Sequence, residues 1–264
     1  MFDLHVHTRH SPDAGASMEA MARAALAAGL EGVAFTDHLE WMPRDDAAGY
    51  LKPAAYFAEL ASLRASCGGE ITLLAGLEVG SSHHFLPQAR AALSAWPWDY
   101  VLGSVHWSGG RLGYDPETFA DGIAAAYERY FQEVRLLAEG GEYDVLAHFD
   151  LMRRDSWSTV GACLPAEPYA ELIRAALCAV IERGRGLEIN TSPWSKGMDE
   201  PCPAVTILRW YRELGGEVLV FGSDAHCPEA VGQHFARARD LALSLGFTRL
   251  ARFAQRRVVG WIPL

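Results

Sequence analysis

The chain begins with the stretch FDLHVH, residues 2–7, a short apolar run that ends in two histidines. Successive side chains of a β-strand point to opposite faces, so His5 and His7 project from the same face and can bind one metal ion. This spacing alone is weak evidence, because polar residues are common in half-exposed strands. It gains weight because histidines or acidic residues also end other apolar runs of the chain. The sequence therefore predicts metal chemistry at the ends of several strands.

Apolar runs rich in Val, Ile, Leu and Phe alternate with helix-like stretches along the whole chain. The predicted strands cover residues 2–7, 32–37, 71–78, 100–105, 144–148, 186–190 and 217–223. The predicted helices cover residues 17–28, 53–66, 87–95, 116–139, 166–183, 202–214 and 231–245. Repeated strand–helix units indicate an α/β fold with a parallel sheet. Because the C-terminal ends of barrel strands converge on one mouth, ligand groups at so many strand ends favour a (β/α)7 barrel over an open sheet.

Composition limits the classes of protein to consider. With 264 residues, 50% of them hydrophobic and 21% charged, we expect one domain spanning residues 1–264. The net charge of -10 argues against a nucleic-acid partner, which would need a basic surface. The five cysteines include no Cys-x-x-Cys pair, which favours a reducing cytoplasm over a disulfide framework or a thiolate zinc site. No signal peptide or membrane span is expected.

Imidazole and carboxylate groups recur at the predicted strand ends and in the loops just after them. The candidate metal ligands are His5, His7, Asp13, His38, Glu78, His106, His148, Asp224 and His226. These groups are too many for one ion and suit two or three ions that share a carboxylate. Glu78 is the natural bridge, because it is the only candidate ligand at the end of the third predicted strand and its carboxylate has two oxygens. Ions about 3.5–4 Å apart can generate hydroxide at neutral pH and stabilise an in-line displacement at phosphorus.

Taken together, these motifs resemble those of the PHP (polymerase and histidinol phosphatase) family, in that family's order and across nearly the whole chain. They are HVHT at 5–8, TDH at 36–38, GLE at 76–78, SVH at 104–106, AHFD at 147–150 and GSDAH at 222–226. The segments LEINT at 187–191 and SDAH at 223–226 further resemble the stand-alone histidinol-phosphate phosphatase branch. The resemblance implies a distorted (β/α)7 barrel with a trinuclear metal site.

The resemblance also implies how the ligands divide among the ions. One ion would take His5, His7, Glu78 and Asp224, and a second would take Glu78, His106 and His148. The third would take Asp13, His38 and His226. The chain departs from the pattern at Asp13, where the phosphatase branch often has histidine, and at Gly80, where a polar residue is expected after Glu-Val.

Basic residues near the predicted mouth are candidates for binding a substrate phosphate. A guanidinium forks onto phosphate oxygens, so one of Arg153 and Arg154 is expected to bind it, a solvated salt-bridging pair being the alternative. Arg154 is slightly favoured, because neighbours in a strand or loop face opposite ways. Lys196 and Arg111 are further candidates, since segments 191–203 and 107–116 are expected to form loops over the mouth.

Other polar residues and several aromatic residues receive lesser roles. Asn190 and Asp150 are expected to orient metal ligands. One of His83 and His84 can donate a proton to the leaving group, although an ordinary loop histidine is the alternative. We assign the remaining histidines, His10 and His234, to the surface, and we consider three tryptophans as possible pocket walls: Trp107, Trp157 and Trp194.

These inferences converge on a metal-dependent phosphomonoesterase that uses two to three divalent ions (Zn, Mn or Fe). Glu78, Asp224, Arg154 and Arg153 are the expected catalytic residues, and the resemblance implies histidinol phosphate as the substrate. Three alternatives remain. The same cluster can act on another small phosphate ester or a nucleotide. An amidohydrolase-like barrel would cleave C–N bonds, although no lysine ends a strand here. A non-catalytic metal-binding domain would lack ligands or carry an attached domain.

Overall fold

The computed structural model describes residues 1–67 and 69–264. In chain order, the strands of this part of the chain are β1 (Phe2–Val6), β2 (Gly32–Phe35), β3 (His38–Leu39), β4 (Thr72–Gly80), β5 (Tyr100–Ser104), β6 (Trp107–Ser108), β7 (Arg111–Leu112), β8 (Val145–Leu146), β9 (Gly186–Asn190), β10 (Leu219–Gly222), β11 (Arg249–Ala254) and β12 (Arg257–Pro263). Every predicted strand is present.

Seven of these strands form a parallel, nearly closed barrel in the order β1-β2-β4-β5-β8-β9-β10. The short β3 pairs with the C-terminal end of β4. Between β10 and β1 the barrel closes through one pair, Val6 with Ala225, supported by a hydrogen bond of 2.8 Å from His7 N to Ala225 O. The predicted distorted (β/α)7 barrel is confirmed.

A buried carboxylate replaces part of the missing strand pairing at this seam. Asp3 on β1 accepts hydrogen bonds from the Ser223 amide at 2.9 Å, the Ser223 hydroxyl at 2.5 Å and the Gly232 amide at 2.8 Å. Burial raises the pKa of Asp3 to about 6, although these hydrogen bonds lower it. The Asp3 side chain thus joins β1 to the segment that follows β10, the last strand of the barrel.

Helices cover the outside of the barrel. They are α1 (Met18–Ala27), α2 (Pro53–Ser66), α3 (Leu86–Ala95), α4 (Ile123–Gly140), α5 (Leu151–Val160), α6 (Ala170–Glu182), α7 (Ser192–Ser195), α8 (Val205–Glu213) and α9 (Phe235–Ser244). The helix predicted over 116–139 is interrupted, because Gly122 at φ 94° separates a 3-10 turn from α4. Helix α5 was not predicted. Arg153 and Arg154 therefore lie on a helix, and the expectation of a strand or loop there was wrong.

The barrel interior is apolar in its N-terminal half. Inward side chains of the strands there pack against Ala251 and Phe253 of β11. The hairpin of β11 and β12 lies at the N-terminal ends of the strands, where Arg256 N donates to Asp99 O at 2.8 Å and the Arg256 side chain pairs with Asp144. This hairpin, which the sequence patterns did not reveal, closes the end of the barrel opposite the mouth.

A change of phase in β1 brings its two histidines into the mouth. Phe2 and Leu4 face the barrel interior, whereas Val6 packs in the outer core against the helices. The pairing of β1 with β2 is irregular between Asp3 and Val6, and such a bulge shifts the alternation of side chains by one residue. His5 and His7 can therefore share the inward face with Leu4.

No helix in the described ranges, 1–67 and 69–264, is long and apolar enough to cross a membrane.

Candidate metal centre

All nine predicted ligands meet at the C-terminal ends of the barrel strands. Seven of them line a cavity of about 240 Å³. His5 and His7 are fully buried beside it. The structure thus brings together side chains that are up to 221 residues apart in the sequence, from His5 to His226.

Glu78 lies at the centre of this cluster. Its Oε1 atom is 2.7 Å from His148 Nε2 and 3.2 Å from His106 Nε2. Its Oε2 atom faces the other side, 3.0 Å from His38 Nδ1 and 3.4 Å from His5 Nε2. One carboxylate therefore presents an oxygen to each of two groups of histidines, which is the geometry that a bridging ligand needs.

Four atoms lie close to the spacing of a tetrahedral metal shell, with four of the five measured edges in the expected range and one slightly shorter. His5 Nε2 and His7 Nε2 are 3.1 Å apart, and they lie 3.4 and 3.5 Å from Glu78 Oε2 and 3.6 and 3.4 Å from Asp224 Oδ1. For metal–ligand bonds of about 2.0–2.2 Å, the edges of a tetrahedron are roughly 3.3–3.6 Å. The donor set and its spacing therefore fit a divalent ion.

A second group of donors lies nearer to solvent. Asp13 Oδ2 is 3.0 Å from His226 Nε2 and 3.3 Å from His38 Nε2, and His7 belongs to the same group. The side chain of Asp13 is 48% exposed. The aspartate found where the phosphatase branch often has histidine therefore offers an oxygen to the outermost position of the cluster.

Two carboxylates and one imidazole of the cluster favour the protonation state that binds a metal ion. Burial raises the pKa of Glu78, but His38 and His106 bring it well below its usual range. The pKa of Asp224 is also held well below its usual range, by His5 and Arg154 against the effect of burial. Burial, together with His226 and His38, lowers the pKa of His7 to about 3. Deprotonated carboxylates and a neutral imidazole are the forms that bind metal.

A carboxylate that sequence reasoning did not assign orients two of the ligands. Glu188 is completely buried; its Oε1 lies 2.7 Å from His5 Nδ1, and its Oε2 accepts a hydrogen bond of 2.7 Å from His148 N. A Cβ atom on Gly222 would lie 1.9 Å from Glu188 Oε1, so glycine is required there. Asn190 donates to Glu188 at 3.2 Å, as its predicted supporting role requires. The available signal was an acidic residue inside a buried strand.

Glu40 plays the same part for His106. Its Oε1 is 2.7 Å from His106 Nδ1. A Cβ atom on Gly80 would lie 1.8 Å from this oxygen, so the Glu40 carboxylate fills the space beside Gly80. The polar group expected at position 80 is thus supplied by Glu40, the residue that follows β3. This explains the departure from the family pattern at Gly80.

The backbone is strained at two of the ligands. His148 has a φ of 24° and Asp224 a φ of 56°, values that residues other than glycine rarely adopt. Both residues come just after a barrel strand, where the chain turns outward. Such strain persists only where the surroundings enforce it, and it clusters at functional sites.

The two neighbouring arginines differ in position. Arg154 lines the cavity, and its Nη1 lies 2.6 Å from Asp224 Oδ2. Its Nε is buried and has no hydrogen-bond partner in the described part of the chain. Arg153 instead pairs with Asp150 at 3.2 Å and with Glu200 at 3.3 Å. Its guanidinium does not line the cavity, and Asp150 supports Arg153 rather than a metal ligand.

The other candidates for phosphate binding lie outside the cavity wall. Arg111 pairs with Asp121 at 2.9 Å. Lys196 is exposed, and partial desolvation together with the nearby Arg154 lowers its pKa. The predicted loop 107–116 does cover the mouth, where Leu112 and Tyr114 line the cavity. Segment 191–203 contributes Ser192, which donates to Asp224 at 3.3 Å.

The remaining histidines and the three tryptophans do not line the cavity at the mouth. His83 and His84 both contact Glu133 on α4. His10 was expected at the surface but is only 12% exposed and contacts Glu59, whereas His234 is exposed as expected. Of the tryptophans, Trp107 supports the rim by donating to Asp45 at 2.7 Å.

Sequence comparison places this cluster in a known family. A family model described as the PHP domain matches residues 3–192. The chain belongs to the PHP family. A probable histidinol-phosphatase of Deinococcus radiodurans is 35% identical over 245 residues, which cover 89% of this chain and 90% of that protein. The histidinol-phosphatase of Lactococcus lactis is 27% identical over 260 residues, 97% of this chain and 95% of that protein.

One solved structure resembles nearly the whole chain. The crystal structure of histidinol phosphate phosphatase from Lactococcus lactis, complexed with zinc, L-histidinol and phosphate, has a TM-score of 0.88. The two proteins are 26% identical, and the match covers 98% of each chain. The similarity therefore extends over the barrel, the mouth and the C-terminal hairpin.

Proposed function

We propose that this PHP protein is a metal-dependent phosphomonoesterase that hydrolyses L-histidinol phosphate to L-histidinol and phosphate. The observation that carries the proposal is that Arg154 and seven of the nine cluster ligands line one cavity. A phosphate ester can place its phosphate between the cluster and a guanidinium there. The histidinol-phosphatases among the relatives, which match nearly the whole chain, support this substrate over other esters.

The cluster is proposed to hold two to three divalent ions. Zinc is our first choice, because the spacing of His5, His7, Glu78 and Asp224 suits tetrahedral coordination and the similar Lactococcus lactis structure contains zinc. Manganese and iron are the other candidates. We assign His106 and His148 with Glu78 to a second ion, and Asp13, His38 and His226 to a third.

Divalent ions, when bound, would supply the nucleophile for phosphorus and neutralise the phosphate oxygens. The chain's own residues prepare this chemistry. Glu78 and Asp224 carry the negative charge that holds the ions, and Glu188 and Glu40 fix the rings of His5 and His106. Arg154 lines the cavity and can offer N–H donors of its guanidinium to a phosphate oxygen.

The charge of the cavity also favours this substrate. Three further carboxylates line the cavity: Asp45 and Asp46, which follow Arg44 in the same lining, and Asp155, which lies 3.8 Å from Arg154. Histidinol carries an ammonium group and an imidazole, and both can interact with carboxylates. A polyanionic nucleotide would instead have to place its additional phosphates near these carboxylates. We therefore propose a small cationic phosphate ester rather than a nucleotide or nucleic acid.

Two further proposals concern the whole protein. We propose that residues 1–264 form one metallophosphatase domain, supported by the shared cores that join barrel, helices and hairpin. We also propose that the enzyme works in the cytoplasm, where its five free cysteines stay reduced.

A panel of phosphate esters tests the proposed function. Purified protein would be assayed on histidinol phosphate, a sugar phosphate, a nucleotide and a phosphodiester, with Zn, Mn and Fe added in turn. We expect the highest kcat/KM for histidinol phosphate. Equal activity on all phosphomonoesters would contradict the substrate, and no hydrolysis of any ester by metal-loaded protein would contradict the phosphatase.

A further inference from the structure

A second cluster of metal-binding side chains lies away from the mouth. His83 and His84 form a 3-10 turn after β4, and Glu133 lies on α4. The Nε2 atoms of the two histidines are 2.8 and 2.7 Å from the same oxygen, Glu133 Oε2. One donor atom from each residue lies within 4.8 Å of the others. None of the three lines the mouth cavity.

Two distances in this cluster equal distances found in the proposed catalytic centre. The His148–Glu78 contact at the mouth is also 2.7 Å, and the rings of His7 and His226 stand 4.1 Å apart, as do those of His83 and His84. Two imidazoles and one carboxylate are a donor set that zinc uses with water at the fourth position. The histidine nitrogens need to move away from the Glu133 oxygen by roughly 0.5–0.9 Å to reach the edges of a tetrahedral shell.

The surroundings leave space for that fourth ligand. A cavity of about 360 Å³ adjoins the two histidines and is also lined by Leu136, Glu139 and Gly140. His83 is nearly buried, with 5% of its side chain exposed, whereas His84 is 49% exposed. An ion can therefore enter from the side of His84 and keep a water ligand in the cavity.

We propose that His83, His84 and Glu133 form a second, peripheral site for a divalent transition metal of the zinc class. The ion would join the turn after β4, the strand that carries Glu78, to helix α4. Its role would be structural, because it would cross-link two elements that the chain separates by 49 residues between His84 and Glu133. This site is independent of the function proposed for the mouth.

Zinc titration of the metal-loaded enzyme tests the site. The holoenzyme would be freed of loosely bound metal and titrated with zinc chloride by calorimetry, alongside His84→Ala, Glu133→Gln and the control His234→Ala, which removes an exposed imidazole. We expect one additional zinc in the wild type and in the control. In both cluster variants the affinity should fall by more than the roughly 10–100-fold that loss of a supporting contact costs.

Thermal unfolding provides a second readout. Zinc at about a hundredfold excess over its dissociation constant should raise the Tm of the wild type and the control by on the order of 5 °C more than that of either cluster variant. Turnover at the mouth should be unchanged in His84→Ala. Retention of the additional zinc in either cluster variant, or its absence from the wild type, would overturn the proposal.

Discussion

At the mouth of the barrel, imidazoles and carboxylates are buried against one another, whereas at the opposite end the strands enclose apolar side chains beneath a hairpin. Glu78, at the mouth, has contacts with five histidines. Phe253, at the other end, packs against Tyr100 with ring centroids 5.0 Å apart. The same strands contribute to both ends, so the two environments differ by only a few residues along each strand.

The difference separates what holds the fold from what performs the chemistry. Burying apolar surface stabilises the barrel without any ion. Burying charged groups costs free energy unless they are paired or coordinate metal. The groups at the mouth therefore lower the free energy of unfolding and are present because the function needs them. We therefore expect substitutions at the hairpin end to change stability and substitutions at the mouth to change turnover.

The largest effect is expected at the hairpin. Phe253→Ala should lower the free energy of unfolding by about 3–5 kcal/mol, because it removes a buried aromatic ring and leaves a cavity. Denaturant unfolding would measure the loss, and kcat of the folded protein should stay near the wild-type value. Val259→Ala in the same hairpin is the control, since that side chain is 57% exposed. A stable Phe253→Ala protein with lost turnover would break the comparison.

At the mouth, Glu78→Gln should lower kcat by on the order of 10²–10³-fold, by analogy with the removal of other groups that stabilise the transition state. The amide cannot bridge two ions, so metal content should fall as well. Elemental analysis and steady-state kinetics would measure both, and circular dichroism should remain unchanged. Glu182→Gln, an exposed substitution at the end of α6, is the control. Normal turnover in Glu78→Gln would exclude the proposed bridge.

The adjacent arginines sharpen the comparison within one helix. Arg154→Ala should lower kcat/KM by about ten- to a hundredfold, because charge-assisted hydrogen bonds to a phosphate contribute roughly 1.5–3 kcal/mol. Arg154→Lys should restore only part of it, since lysine lacks the fork. Arg153→Ala should instead lower the Tm, because it leaves Asp150 buried without its partner. If both alanine variants affect only Tm, Arg154 does not bind the substrate.

Much of the barrel and its ligand cluster could be predicted from the sequence, because both depend on local patterns. Buried parallel strands appear in the sequence as apolar runs, and the metal ligands lie at or just after the end of each run. Arg153 and Arg154 show where local patterns stop being informative. The sequence around them did not predict helix α5, and the orientation of that helix decides which arginine faces the cavity. The hairpin of residues 249–263 was missed because only tertiary packing distinguishes its alternating strands from a mobile tail.

The supporting carboxylates show a second limit. Glu188 and Glu40 lie beside histidines that are far away in sequence, and nothing local indicates which ring each one contacts. Gly80 could be recognised as a departure from the family pattern but not explained. Its explanation is that the Glu40 side chain occupies the space beside it, a contact across 40 residues.

The smallest effect concerns the mouth without its metal. Burial lowers the pKa of His38, but Glu78 and Asp13 raise it to about 10, above the ordinary value of 6.5. Between these values the folded state binds a proton that the unfolded state releases, so this pairing stabilises the metal-free protein fully below pH 6.5 and is lost as pH rises through about 10. The Tm of chelated protein should therefore fall from pH 7 to 10 more steeply than that of chelated His38→Gln. The metal-loaded protein should lack this difference, because a metal ion in place of the proton keeps the carboxylates compensated at high pH. If the Tm values of the chelated wild type and of the chelated variant fall equally with pH, His38 does not hold a proton in the cluster. Another positive charge would then have to balance the buried carboxylates at the mouth.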